Sequence, residues 1–111
     1  MNLFAMTGKV RSVHIADRDE PSALILLQYG PERERQGNRA VEFINAVPVR
    51  IPAFRLSKVR DILVEGAMIE VHGRLQGVLK GVMADGFIVT ELVAERVFAA
   101  QNFDAPAEAE G

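Results

Sequence analysis

Apolar and polar positions alternate most cleanly at residues 68–76, where Ile69, Val71, Gly73 and Leu75 interleave with Glu70, His72, Arg74 and Gln76. A period of two is that of a strand with one buried and one wet face. Gly73 falls on the buried side, where a missing side chain lets the strand bend or another backbone come close. Much of the remaining chain is also strand-like. Leu3–Ile15 reads as a long first strand whose phase slips after Val10, which predicts a bulge or bend. Ser22–Tyr29 and Ala40–Ile51 read as the second and third strands, and Phe87–Val97 as the last. Pro48 cannot donate to a ladder, so the third strand ends, bulges or lies at an edge there. Asp17–Pro21 is a turn cluster, while Gly30–Arg39 and Gly77–Gly86 read as exposed loops. One helix is predicted at Phe54–Leu63, with Phe54, Val59, Ile62 and Leu63 as its apolar set. Pro52 precedes it and Gly66 supplies a stop.

Three strands, a short helix and two strands form the order of an OB-fold. That is an all-β, five-stranded Greek-key barrel with its helix between strands 3 and 4. The 111 residues suffice for one such domain. It is expected over residues 1–98, followed at 99–111 by a disordered acidic C-terminal tail rich in Ala, Glu and Pro.

The net charge of −2 conceals a division. Residues 1–99 carry all 13 bases and 12 of the 15 acids, whereas Asp104, Glu108 and Glu110 make the tail purely acidic. Ten of the 13 bases are arginine, the side chain suited to phosphate forks and to stacking on flat rings. The absence of cysteine excludes disulfides and thiolate metal sites. Two distant histidines, His14 and His72, give no basis for a metal site, and no cofactor is expected. The first residues lack a basic region followed by an apolar core, and runs such as Ala23–Leu27 are too short to span a bilayer. A cytoplasmic protein without membrane contact is expected. The serines and threonines have no His and carboxylate at a recognisable spacing, and no phosphate-loop or dinucleotide fingerprint occurs. No enzyme activity is expected.

Several segments resemble the bacterial single-stranded DNA-binding protein family. They are Met6-Thr7-Gly8-Lys9-Val10, Phe43 through the helix to Leu63-Val64-Glu65-Gly66, Ile69–Leu75, and Phe87–Ala94. The most specific part is the run from Gly66 to Leu75, a helix stop followed by φ-x-φ-x-Gly-x-Leu. The chain departs from the family in having no tryptophan, in an insertion of about three residues around Pro48 and Pro52 (judged against the family's helix entry), and in a tail without the closing Ile-Pro-Phe motif. These departures fit a divergent member from a plasmid or mobile element, or a relative of primosomal replication protein N. The resemblance implies sequence-nonspecific binding of single-stranded DNA during replication, recombination or mobile-element transfer. It also implies a homodimer or homotetramer built on the strand-one region, with replication proteins as possible partners of the acidic tail.

Binding single strands takes cations for phosphates and flat faces for bases. The candidate stacking residues are Tyr29, beside the arginine-rich loop, and Phe43, which the resemblance places at a stacking position. Phe43 also shares parity with Val41, so a core role stays open. Phe54, Phe87 and Phe98 read as core or subunit contacts. The candidate phosphate contacts are Lys9, Arg11, Arg33, Arg35, Arg39, Arg50, Arg55, His72, Arg74 and Lys80. For each the alternative is a solvated or ion-paired surface charge, and Glu32 and Glu34 interleave with Arg33 and Arg35. A second reading is an OB-fold protein-interaction module in a replication or conjugation complex, with weak or no DNA affinity.

Overall fold

The computed structural model describes residues 1–16, 21–35, 42–81 and 86–100. Five strands are present: β1 (Phe4–Ile15), β2 (Ala23–Arg35), β3 (Glu42–Ile51), β4 (Met68–Lys80) and β5 (Phe87–Ala99). They close into a barrel in the order β1-β2-β3-β5-β4, with β4 returning to β1. All neighbours are antiparallel except β3 and β5, which run parallel. Their seam is short, pairing Val49 with Leu92 and Arg50 with Val93. This is the OB-fold expected from the element order.

Inward positions fill the barrel with aliphatic side chains: Val10 from β1, Ala23, Ile25 and Leu27 from β2, Val49 and Ile51 from β3, Ile69 and Val71 from β4, and Ala94 and Val97 from β5. No polar or charged side chain is buried among the described residues, so the core needs no internal hydrogen bonds to offset desolvation. The predicted slip in β1 is a register shift between Val10 and Ser12, which places Arg11 on a bulge. The edge reading of Pro48 is also met. It sits opposite Leu26, and β3 reaches β5 only from Val49 onward.

The helix α1 is shorter than predicted, Ala53–Val59, and it tightens into a 3₁₀ turn at Arg60–Ile62. It buries Leu56 and Val59, and Leu63 beyond it is buried too. Those three follow i, i+3, i+7. Phe54 precedes Leu56 by two residues, about half a turn away, and stands 68% exposed instead of joining the core. Beyond the helix, Gly66 adopts φ 90°. Its N–H donates to the Val10 carbonyl, and the Val10 N–H donates to Ala67. The helix exit is thereby stitched to β1.

Gly73 meets the expectation of a close approach. A Cβ there would run into the Val93 carbonyl oxygen and the Phe4 ring. At the same level β5 accommodates one extra residue, Glu95, between the pairs His72–Arg96 and Gly73–Ala94. Leu75 departs from the expected pattern. It is exposed, because β1 begins at Phe4 opposite Gly73 and no third strand covers β4 beyond that point.

The predicted loops are also partly strand. β4 stays paired to Lys80 opposite Phe87, and β2 stays paired to Arg35 opposite Glu42. Two-stranded arms thus outlast the barrel, since hairpin bonding needs one partner strand and not a closed core. The strand β5 continues to Ala99, and the Ala100 N–H donates to the Met68 carbonyl. Residues 101–111 of the expected tail lie outside the described residues. No helix among the described residues is long and apolar enough to cross a membrane.

Two glycine substitutions separate steric from conformational demands. Gly73→Ala is expected to lower unfolding free energy by about 3 kcal/mol or more, because backbone must move. Gly66→Ala meets no atom within 4 Å and should cost about 1–2 kcal/mol, through its left-handed φ alone. Chemical denaturation of both variants measures the difference.

Candidate nucleic-acid interface

β2 carries a wide irregularity. Gln28 pairs with Ala46, but the next pair is Arg33 with Ile44, so Tyr29–Glu32 bulge opposite Asn45. Pro31 has no N–H to give a ladder, and side-chain amides take up the free carbonyls. Gln28 Nε2 donates to the Gly30 carbonyl at 2.7 Å, and Asn45 Nδ2 donates to that of Pro31 at 2.9 Å. Tyr29 continues the inward parity of Ala23, Ile25 and Leu27, yet the bulge releases it to 48% exposure.

Beside Tyr29 lies an open groove of about 310 Å³, between β1, β2 and the start of β4. Thr7, Gly8 and Lys9 form one wall, Gln28 to Gly30 another, and Met68 the third. Lys9 points outward in register with both Gln28 and Met68. It is exposed and has no hydrogen-bond or ion-pair partner among the described residues. Arg11 reaches the same rim, with Nη1 donating to Gln28 Oε1 at 2.9 Å. A hydroxylated ring and an exposed cation therefore meet at one groove, and the Arg11 guanidinium is bonded to its Gln28 wall. Its volume matches the lower end of ligand pockets, roughly 300 Å³. Gln28 was not singled out from the sequence. Its signal was its parity, a polar residue between the outward-facing Leu24 and Leu26 and the bulge.

The other candidate cations lie elsewhere, and three of them, Arg50, His72 and Arg74, face carboxylates. Arg50 on β3 donates from Nη2 to Glu91 Oε2 at 3.0 Å, with Ser22 Oγ at 3.4 Å from Nη1. Arg74 donates to Glu95 Oε2 at 3.0 Å and to Gln76 Oε1 at 3.1 Å. His72 Nε2 lies 2.6 Å from Glu70 Oε2, with the Phe98 ring edge-on at 5.4 Å. Phe98 is thus a half-exposed surface ring and not a core residue, and Phe87 is exposed as well.

Arg55 lies 5.2 Å from the centre of the Phe54 ring on α1, a cation–π pair at the surface. Lys80 is exposed on the β4 arm, away from the groove residues. Arg96, opposite His72, was missed by sequence reasoning although β5 parity places it outward there. Arg33, Arg35 and Phe43 are placed by backbone register alone, Arg33 with Ile44, Phe43 with Glu34 and Arg35 with Glu42. Arg39 lies outside the described residues. No group of three or more metal-ligating side chains occurs among the described residues.

No protein-family model matches the chain, and a comparison with curated proteins finds no match. Solved structures do match. A small single-stranded DNA-binding protein from Streptomyces coelicolor superposes with a TM-score of 0.58 at 16% identity, covering 90% of this chain and 94% of that one. The Plasmodium falciparum SSB in complex with ssDNA gives 0.62 at 14%, covering 91% and 96%. The N-terminal domain of the PriB protein from Thermoanaerobacter tencongensis, a dimeric structure, gives 0.60 at 14%, covering 90% and 97%. Likeness over nearly the whole of each chain at such identities establishes a shared fold.

The Arg74–Glu95 pair is exposed on both sides, so its coupling is expected below about 1 kcal/mol. A double-mutant cycle with Arg74→Ala and Glu95→Ala, read by denaturant unfolding, measures it.

Proposed function

We propose that this protein binds single-stranded DNA without sequence preference, through the groove that joins Tyr29 to Lys9 and Arg11. The observation that carries this reading is their convergence, an exposed ring beside a cation with no carboxylate partner among the described residues. A base stacks on Tyr29 whatever its identity, because every base has a flat face. Lys9 and the Gln28-held Arg11 meet the adjoining phosphates, the guanidinium as a fork and the ammonium as a point charge. Arg33 and Arg35 of β2 and Phe43 of β3, placed by register beyond the bulge, together with Arg39, are the further contacts of this reading. The fold supports the reading, since it is shared with proteins described as binding single-stranded DNA, one of them in complex with it. The role is protection of exposed single strands in replication, recombination or mobile-element transfer. The protein acts in the cytoplasm as a homo-oligomer, and the acidic tail offers a contact to replication proteins.

A second reading, a protein-interaction module, draws on the carboxylates that occupy Arg50, Arg74 and His72. Ion-paired side chains give up a partner before they can take a phosphate, which lowers their contribution to DNA affinity.

Fluorescence anisotropy with labelled oligo(dT) of about 30 nucleotides separates the two. Binding tighter than about 10 μM at low salt, weakening steeply as salt is added, is expected. Weaker binding favours the interaction module. Tyr29→Ala should cost roughly five- to a hundredfold in affinity, the ~1–3 kcal/mol of one stacked base. Lys9→Ala should lower the salt slope by about 0.7.

A further inference from the structure

The helix α1 presents an exposed ring beside two cations that no carboxylate of the described chain engages. Leu56 and Val59 take its buried face, which leaves Phe54 outside. The Arg55 guanidinium stands over the Phe54 ring, 5.2 Å from its centre. That ring is its partner, and no hydrogen bond or ion pair joins it to any other described residue. Arg55 Nε is buried and donates to no acceptor. Lys58 is exposed and also has no ion-pair partner among the described residues. It lies four residues from Phe54 and three from Arg55, the spacings that make neighbours on a helix surface.

Stacking on a ring spends none of the five N–H donors of a guanidinium. It does restrain the side chain, so an acceptor that arrives later costs less rotamer freedom. Arg55 is therefore a fork held in place with its hydrogen bonds unspent, next to an apolar surface. The groups that satisfy both are a carboxylate and an apolar side chain on one ligand.

We propose that this face of α1, formed by Phe54, Arg55 and Lys58, docks an acidic peptide segment of a partner protein. An apolar side chain of the peptide lies against the Phe54 ring, and its carboxylates meet Arg55 and Lys58. Recognition of acidic motifs by arginine is a recurrent mode of peptide binding. Charge along the segment selects a peptide over nucleic acid. Past Lys58 the signs are mixed, with Arg60, Asp61 and Glu65 all exposed. A polynucleotide carries a charge on every phosphate, and one laid along this segment meets Asp61 and Glu65. A peptide puts acids only opposite the cations. The groove proposed for single-stranded DNA takes no lining residue from α1, so the two sites share no residue.

Fluorescence anisotropy on the full chain tests the proposal. The probe is a labelled peptide of about twelve residues, acidic except for one leucine and one phenylalanine at its centre. Binding tighter than about 100 μM at low salt, weakening as salt is added, is expected. Phe54→Ser, Arg55→Gln and Lys58→Glu should each weaken it at least about fivefold, with unchanged circular dichroism. Lys58 is fully on the surface, so its variant reads the site even if Arg55→Gln perturbs the fold. Leu79→Ser on β4 and Tyr29→Ala at the groove should bind the probe as the wild type does. Binding weaker than about 100 μM would overturn the proposal, as would affinity that Phe54→Ser and Lys58→Glu leave intact or that Leu79→Ser lowers equally. Oligo(dT) affinity lowered at least about fivefold by Phe54→Ser and Lys58→Glu would overturn it in favour of a nucleic-acid contact. Probe binding at least about fivefold tighter in Asp104→Asn/Glu108→Gln/Glu110→Gln would assign the face to the chain's own tail instead. Self-association in sedimentation that Phe54→Ser abolishes would assign it to a second copy.

Discussion

At Gly73 three parts of the chain occupy nearly the same space: the β4 backbone, the Val93 carbonyl of β5 and the Phe4 ring at the start of β1. A side chain on β4 at that level would separate β4 from β5 and lift Phe4 away. Both neighbours of β4 pass through this point, so the closure of the barrel depends on it. Glu95, the extra residue that β5 inserts beside the glycine, lets β5 follow the bend. That insertion also turns Glu95 outward to meet Arg74. One steric constraint thus fixes a bend, a bulge and an ion pair on the opposite face.

The same point marks where the barrel stops. β1 ends its pairing with β4 opposite Gly73 and β3 its pairing with β5 at Leu92, so from Gln76 and Glu91 outward β4 and β5 are a ribbon with two faces. On the other side of the molecule the Gly30-Pro31 bulge interrupts β2 against β3 and turns Tyr29 outward. The two arms differ chemically. The β2–β3 arm is rich in arginine and begins at the groove, whereas the β4–β5 arm is apolar with one lysine.

The candidate cations show what pairing does to a list of charges. Arg50, Arg74 and His72 each meet a carboxylate that is distant or two residues away in sequence. Strand parity puts a residue on an outer face, but the carboxylate that faces it belongs in two cases to another strand. Lys9 has no such partner among the described residues, because its neighbours in register are Gln28 and Met68, neither of them acidic.

The sequence by itself determined the element order, the OB-fold, the β1 bulge and the close approach at Gly73. Each rests on short-range periodicity or on a residue type with a single steric meaning. It misjudged Leu75, whose apolar character pointed inward, and of its reading of Phe54, Phe87 and Phe98 as core or subunit contacts the core half does not hold. Burial requires a covering element, and only the tertiary structure says where β1 ends or which face of α1 meets the core. It also read the arms as loops, because glycines and a proline mark turns unless a partner strand holds them in register. The meeting of Lys9, Arg11 and Tyr29 was decided by the register of β1 with β2 and by a four-residue bulge. Those are long-range pairings, for which alternation along a single strand carries no signal.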